Sequence, residues 1–245
     1  EPMVMMLVAA WTIVRGSDVV SGEINRGTME IVLSQPISRK QVFLQHAILT
    51  TLGLLVLVLL IWLAMSLAVL NTVIEEATFP VLKIPLTSYE IPITFFGPQT
   101  ETVAMSDRVS PLQYLPGIIN LFCFGMFMTG LSMMFSSWDR FRWRTLGIVV
   151  GIYFVQAMLK VGSLASEKFQ WLQYFTYFSL YKPALSIEIG DTRPEELISL
   201  FRYDETGELL GLGPIGFNLL LVLFTMGFLA FGLRVFSKRD LPAPI

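Results

Sequence analysis

The residues most able to do chemistry in this sequence lie in one charged stretch, EINRGTMEIVLSQPISRKQ, at positions 23–41. The stretch separates two long apolar runs, and its charged side chains are those of Glu23, Arg26, Glu30, Arg39 and Lys40. Five charges between apolar segments are typical of a loop on one side of a membrane. This stretch also shows helical spacing, a proline that can end a helix and the start of another helix.

Catalytic and cofactor-binding motifs are absent from the sequence. It contains no GxxxxGK[ST] phosphate loop, no HExxH zinc motif and no GxSxG nucleophile elbow. His46 is the only histidine and Cys123 the only cysteine, so an internal disulfide is excluded. A catalytic site needs a nucleophile, a base and an orienting group together, and the sequence offers no such trio. We predict that the chain is not an enzyme, holds no metal and has no nucleotide site of its own.

The composition is that of a membrane protein. Of the 245 residues, 54% are hydrophobic and only 15% are charged, whereas a soluble domain carries about 25% charged residues. The mean hydropathy is +0.65. The formal net charge is −2, so no basic excess points to nucleic acid as a partner.

Five apolar segments have the length of a membrane span, for which about 20 residues are needed. They cover about 3–20, 48–70, 115–137, 146–164 and 215–236. The predicted fold is an all-α polytopic membrane protein, with one transmembrane domain over residues 1–245 and five spans in a helical bundle. Because residue 1 is Glu rather than Met, a sixth span is expected if an N-terminal one is missing. Ionisable residues are scarce inside the spans, which disfavours transport coupled to protons or sodium.

The distribution of Lys and Arg predicts the orientation of the spans. Ten of the 17 basic residues lie in short segments next to the spans on one side, and such segments are typically cytoplasmic. The other side then carries two long outer loops, at about 71–112 and 165–213. In the first loop, β-branched and aromatic residues alternate around Pro85 and Pro92, and this pattern predicts a short strand pair. The second begins with an aromatic run that predicts an interfacial or re-entrant helix, and Thr192 with Glu195 predicts the capped start of another helix.

The charged stretch itself predicts a short helix with defined ends, within a connector covering about 21–41. Gly27 is placed to end the first helix as a C-cap glycine, and Thr28 to begin the next as an N-cap. Pro36 ends that second helix. Ser38 and Gln41 then form a capping box that begins the helix of the second span.

This short helix is predicted to be amphipathic. Met29, Val32 and Leu33 share one face at i, i+3, i+4 spacing, and Glu30 lies in the first turn, where the helix dipole favours an anion. Two interpretations remain open from spacing alone. The helix either rests on lipid at the membrane surface or docks against a protein partner and transmits its movement.

The connector also resembles the signature of type-2 ATP-binding cassette (ABC) permeases. Their usual form is close to E-x-x-x-GT-x-E-x-L-L-x-x-P-[IV]-S-R. This sequence has E-x-x-x-GT-x-E-x-x-LSQPISR, and its ending VFSKRDL is similar to the way many such subunits finish. The matching residues are Glu23, Gly27, Thr28, Glu30, Leu33, Ser34, Gln35, Pro36, Ile37, Ser38 and Arg39.

The resemblance implies a dimeric, six-span membrane subunit of an ABC exporter, with separate partner ATPase subunits in the cytoplasm. In that family a cytoplasmic coupling helix sits in a cleft of the ATPase, which holds the ATP and Mg. Carried onto this chain, the residues that build or brace the helix are Glu23, Gly27, Thr28, Glu30, Pro36 and Arg39. The implied partners are the ATPase, a second copy or a paralogous permease, and lipids, in the bacterial cytoplasmic membrane. The alternative is a non-transporting scaffold or sensor coupled to an ATPase, and the substrate is unknown.

Overall fold

The computed structural model describes residues 2–34, 36–78, 81–83, 90–92, 99–203 and 208–239. Helices dominate the described residues, and six short strands accompany them. The helices are α1 (Pro2–Ser17), α2 (Glu23–Arg26), α3 (Thr28–Leu33), α4 (Arg39–Asn71), α5 (Leu115–Trp138), α6 (Arg142–Ala165), α7 (Pro183–Thr192) and α8 (Pro214–Lys238). The strands are β1 (Val73–Thr78), β2 (Val81–Lys83), β3 (Glu90–Pro92), β4 (Gln99–Ala104), β5 (Phe201–Tyr203) and β6 (Leu209–Leu212).

Five helical segments among the described residues are long and apolar enough to cross a membrane. They are Pro2–Arg26, Arg39–Asn71, Pro111–Trp138, Arg142–Ala165 and Pro214–Lys238. Each contains one of the five spans predicted from the sequence. The predicted fold class, an all-α polytopic membrane protein, is therefore confirmed, and the sheets are minor.

The chain divides into two compact units, of which the larger comprises Glu1–Leu60 and Leu115–Ile245. Helix α5 lies at its centre and packs mainly against α8 and α1. Phe124 and Met128 of α5 and Leu221 of α8 are fully buried in the core that these helices share. The prediction of one transmembrane domain over the whole chain stays a prediction.

Small residues bring α1 and α5 into close contact. A Cβ atom added to Gly16 would lie 2.7 Å from the Cβ of Ser132 and 3.2 Å from the carbonyl oxygen of Thr129. The hydroxyl of Ser132 also donates a hydrogen bond to the carbonyl of Ile13, at 2.9 Å. Small residues let helix backbones approach in this way in membrane proteins, and an interhelical hydrogen bond adds to the packing.

This contact predicts the effect of replacing Gly16 with alanine. The added methyl group has no space, so we expect the free energy of unfolding in detergent to fall by about 1–3 kcal/mol. The matched control is Gly147→Ala in α6, where no described atom lies within 4 Å of the added Cβ. There the better helix propensity of alanine is expected to stabilise the helix by up to about 1 kcal/mol. Equal midpoints in thermal unfolding of the two variants would contradict the prediction.

The smaller unit, Ile61–Tyr114, contains two antiparallel strand pairs. Strand β1 pairs with β4 from Val73 opposite Ala104 to Thr78 opposite Gln99, and β2 pairs with β3. The second pair lies in the region where the sequence predicted a strand pair, with Pro92 at its end; Pro85 lies outside the described residues.

The segment that follows α6 folds into the larger unit. The aromatic run forms two 3₁₀ segments, Glu167–Phe175 and Tyr177–Leu180. The Phe178 ring is buried, with its centroid 5.7 Å from that of Phe124. The run is therefore helical, as two short 3₁₀ segments, of which the second contributes the buried Phe178. That it forms an interfacial or re-entrant helix stays a prediction.

The capped helix predicted to begin at Thr192 is wrong. Thr192 is the last residue of α7, and its hydroxyl donates to the carbonyl of Glu188 at 2.8 Å. A 3₁₀ turn begins instead at Pro194, without a side-chain cap from Arg193 before it. The sequence pattern was misleading because the preceding residues already form a helix, which engages the threonine hydroxyl.

Candidate functional site

The first spanning helix continues beyond α1 as far as Arg26, through a π-helical turn at Asp18–Gly22. A serine from α5 explains this turn. The Ser136 Oγ accepts hydrogen bonds from the backbone N–H groups of Val20 (3.1 Å) and Ser21 (3.0 Å) and donates to the carbonyl of Ser17 (3.0 Å). A side chain inserted into the helical ladder is a recognised cause of such irregularity. The continuation of the helix matches the sequence prediction, whereas the π turn was not predicted.

Gly27 and Thr28 form a tight turn that is braced by Glu23. Gly27 has a left-handed φ of 72°, and its N–H donates to the carbonyl of Ile24 at 3.1 Å. The Thr28 hydroxyl donates to the Glu23 carboxylate, and its oxygen lies 3.2 Å from the Glu23 carbonyl oxygen. Gly27 is thus the C-cap that the sequence predicted. Thr28 differs from its predicted N-cap role, because its hydroxyl points back to Glu23 as a donor.

Two arginines connect this turn to its surroundings. Arg26 pairs with Asp18 at 2.8 Å and with Glu23 at 2.7 Å, and Arg142 at the start of α6 also approaches Asp18, at 3.2 Å. These pairs are partly exposed, so each contributes only about 0–1 kcal/mol to stability. Together they connect the end of the first spanning helix to the start of α6.

Helix α3 is anchored in the bundle by Met29. Its side chain is 2% exposed and belongs to a buried cluster with Val19 and Val20 from the π turn, Phe43 from α4 and Phe236 from α8. Met133 of α5 belongs to the same cluster, which therefore joins α3 to four membrane-spanning segments. Met29 belongs to the apolar face that the sequence predicted for α3, and its side chain packs into the bundle.

The remaining residues of α3 present a different surface. Ile31 is 67% exposed. The side chains of Glu30, Val32 and Leu33, three further residues of the predicted docking face, lie outside the described part of the structure. Their proposed role in binding a partner stays a prediction.

The start of α4 is defined by the capping box that the sequence predicted. The Ser38 N–H donates to Gln41 Oε1 at 2.9 Å, and the Gln41 N–H donates to Ser38 Oγ at 3.3 Å. Helix α3 ends at Leu33, before the bend at Pro36. The two signals thus separate α3 from α4 as expected.

Arg39 connects α4 to the C-terminal end of α8. Its guanidinium donates to the carbonyl of Arg239. The Arg239 guanidinium in turn donates to the carbonyls of Ser137 and Asp139, each at 3.0 Å. Burial, followed by repulsion from Arg140, lowers the pKa of Arg239. The two arginines therefore join the ends of α4, α5 and α8.

Comparison with known proteins identifies the kind of protein to which this arrangement belongs. A family model described as ABC-2 family transporter protein matches residues 2–241. The chain belongs to the ABC-2 transporter family. It is accordingly an integral multi-pass permease component of an ABC transporter, and the family associates with a separate ABC ATPase subunit. No curated protein and no solved structure matches the chain.

The structure of this permease brings the signature residues together in two groups. Glu23, Gly27 and Thr28 form the braced turn before α3, whereas Arg39 lies beyond α3 and contacts the C-terminal ending of the chain. Pro36 lies between the groups, at the bend. The contacts of three residues around these groups were not predicted from the sequence. Asp18 pairs with Arg26 and Arg142. Ser136 accepts from two N–H groups of the π turn, and the Arg239 carbonyl accepts from Arg39.

Proposed function

We propose that this permease exports its substrate by using ATP hydrolysis in separate cytoplasmic ABC ATPase subunits, which would hold the ATP and Mg. The observation that carries the proposal is the position of α3. One of its side chains, Met29, is buried among residues of four spanning segments, while Ile31 is exposed. A helix held in this way can receive a partner on its exposed side and pass the movement to the spans.

The contacts around α3 support a coupling role. Glu23, Thr28 and Arg26 brace its N-terminal side, and the capping box of Ser38 and Gln41 begins α4 on its other side. Movement of α3 is therefore expected to displace the first two spans rather than be absorbed in a flexible loop. The ATPase shifts the permease between two states only by its different affinity for each of them.

The proposed orientation places α3 in the cytoplasm. Contacts between Asp18 and Arg142, and from Arg39 to Arg239, bring the arginine-rich ends of the helices together at one end of the bundle. Short segments rich in Arg and Lys face the cytoplasm in most membrane proteins. We place the permease in the bacterial cytoplasmic membrane, as a homodimer or with a paralogous permease.

The docking role is tested by Glu30→Lys combined with Leu33→Asp. We expect this variant to lose co-purification of the ATPase and stimulation of ATP hydrolysis, because it reverses one charge and adds another on the proposed docking face. The matched control is Glu195→Lys with Ile198→Asp, the same changes at the same spacing on an outer turn where Ile198 is 77% exposed. Unchanged co-purification and unchanged stimulated activity in the first variant would exclude the docking role.

Export itself needs a separate measurement. In proteoliposomes that contain the permease and its ATPase, we expect ATP to drive movement of a candidate substrate. A scaffold or sensor would retain co-purification and stimulated ATP hydrolysis without such movement. The direction of movement relative to the ATP-accessible side distinguishes export from import.

A further inference from the structure

A cavity of about 720 Å³ lies in the larger unit, away from the connector. Its walls come from the 3₁₀ segments after α6, the β5–β6 hairpin, and helices α5, α6, α7 and α8. Aromatic and leucine side chains form much of the lining, and α8 contributes Phe217, Phe224 and Phe228. The volume is within the range of about 300–1,000 Å³ that is usual for small-molecule sites.

Two cations line this cavity, together with neutral polar side chains such as those of Gln156 and Gln173. The cations are Lys182, before α7, and Arg202, in β5, and no carboxylate is among the described residues of the lining. The Lys182 ammonium lies 5.0 Å from the centroid of the Phe217 ring. Burial lowers the pKa of Lys182, and repulsion from Lys160 and Arg202 lowers it further. Two positive charges therefore line the same cavity, and no acidic side chain among its described lining residues neutralises them.

The cationic side of the cavity is held in place by partly buried hydrogen bonds. The side chain of Asn120, which is fully buried, accepts a hydrogen bond from the backbone N–H of Lys182 at 2.9 Å. It donates to the side chain of Asn218 at 2.7 Å and to the carbonyl of Leu180 at 3.2 Å. Gln156 accepts from the Tyr177 N–H at 3.3 Å. The backbone that carries Lys182 is therefore fixed before any ligand binds, which lowers the entropy lost on binding.

Two lining residues also carry buried polar atoms without a partner. Arg202 Nε and the Tyr177 hydroxyl make no hydrogen bond within the described residues. Buried polar groups are normally paired, so an unpaired donor calls for an explanation. A bound ligand with acceptor oxygens would provide a hydrogen-bond partner for a donor that faces the cavity.

We propose that this cavity binds an anionic amphiphile, with its acidic headgroup between Lys182 and Arg202 and its apolar chain along the phenylalanines of α8. Charge-assisted hydrogen bonds to a carboxylate or phosphate would satisfy the cations, and the aromatic lining would bury the chain. The site is independent of α3, so binding is expected whether or not the proposed export and ATPase docking hold.

The test is direct binding of dodecyl phosphate to the purified full-length permease, with any ATPase that co-purifies, in an uncharged detergent. Native mass spectrometry would report the occupancy. We expect saturable binding of one molecule per permease chain. Lys182→Gln with Arg202→Gln should weaken it about tenfold or more, as loss of a charge-assisted contact commonly does. The matched control is Lys168→Gln, which removes an exposed cation from the neighbouring 3₁₀ segment outside the lining.

Two further ligands and one further variant make the result decisive. Dodecylphosphocholine, with the same chain but no net charge, should bind about tenfold more weakly, and inorganic phosphate should not displace dodecyl phosphate at equal concentration. Lys182→Arg with Arg202→Lys keeps both charges and should retain binding, which separates loss of charge from misfolding. Equal binding by the glutamine variant, equal binding of dodecylphosphocholine, or displacement by phosphate alone would each overturn the proposal.

Discussion

Replacing Met29 with alanine is expected to lower the free energy of unfolding by about 2–5 kcal/mol, the usual range for truncation of a buried methionine. The side chain is 2% exposed, in the cluster that joins α3 to Phe43 and Phe236. The measurement is an unfolding titration of the purified permease in a denaturing detergent. We also expect ATP hydrolysis in the complex to lose its stimulation, because α3 would no longer be fixed to the spans.

The neighbouring Ile31 provides the matched control for this prediction. It lies on the same short helix but is 67% exposed. Ile31→Ala is expected to change the free energy of unfolding by no more than about 0.5 kcal/mol, as surface substitutions usually do. Ile31→Asp should instead weaken co-purification of the ATPase while leaving the bundle stable. If Met29→Ala and Ile31→Ala unfolded at the same detergent concentration, Met29 would not be the anchor of α3.

Replacing Ser136 with alanine is expected to destabilise the protein by about 2–5 kcal/mol, because two buried N–H groups of the π turn lose the acceptor that the serine hydroxyl provides for them. These are the N–H groups of Val20 and Ser21, at 3.1 and 3.0 Å from Ser136 Oγ. The measurement is the same unfolding titration. Amide hydrogen exchange should also increase at these two positions.

Ser137 is the control for the Ser136 substitution. Both serines are fully buried, but the Ser137 hydroxyl donates only to the carbonyl of Met133 in its own helix, at 2.9 Å. Ser137→Ala should therefore cost about 0.5–1.5 kcal/mol at most. A Ser136→Ala effect no larger than this would show that the π turn persists without its serine.

The local features of the connector could be predicted because they depend on neighbouring residues. A left-handed C-cap at Gly27 follows from the absence of a side chain there. The capping box at Ser38 and Gln41 joins residues only three apart. Thr28 shows the limit of this reasoning, because a threonine after a C-cap can serve as an N-cap or bond backward, and the carboxylate of Glu23 engaged it instead.

Long-range contacts of the site could not be predicted in this way. Ser136 is 115 residues from Ser21, and Arg39 is 200 residues from the carbonyl that it contacts. The sequence around Ser136 and around Arg39 contains no pattern that indicates which distant residue each of them contacts. The ending VFSKRDL was a sequence signal, but only the structure relates Arg239 to the carbonyls after α5.

The sequence by itself determined the membrane class, the five spans, and the Gly27 C-cap and Ser38–Gln41 capping box on either side of the short connector helix. Each of these depends on apolar length or on capping between neighbours, which are local properties. Only the tertiary structure decided that Met29 faces inward, that Ser136 creates a π turn, and that Lys182 and Arg202 line one cavity. These outcomes depend on which helices pack together, and packing joins residues far apart in the chain.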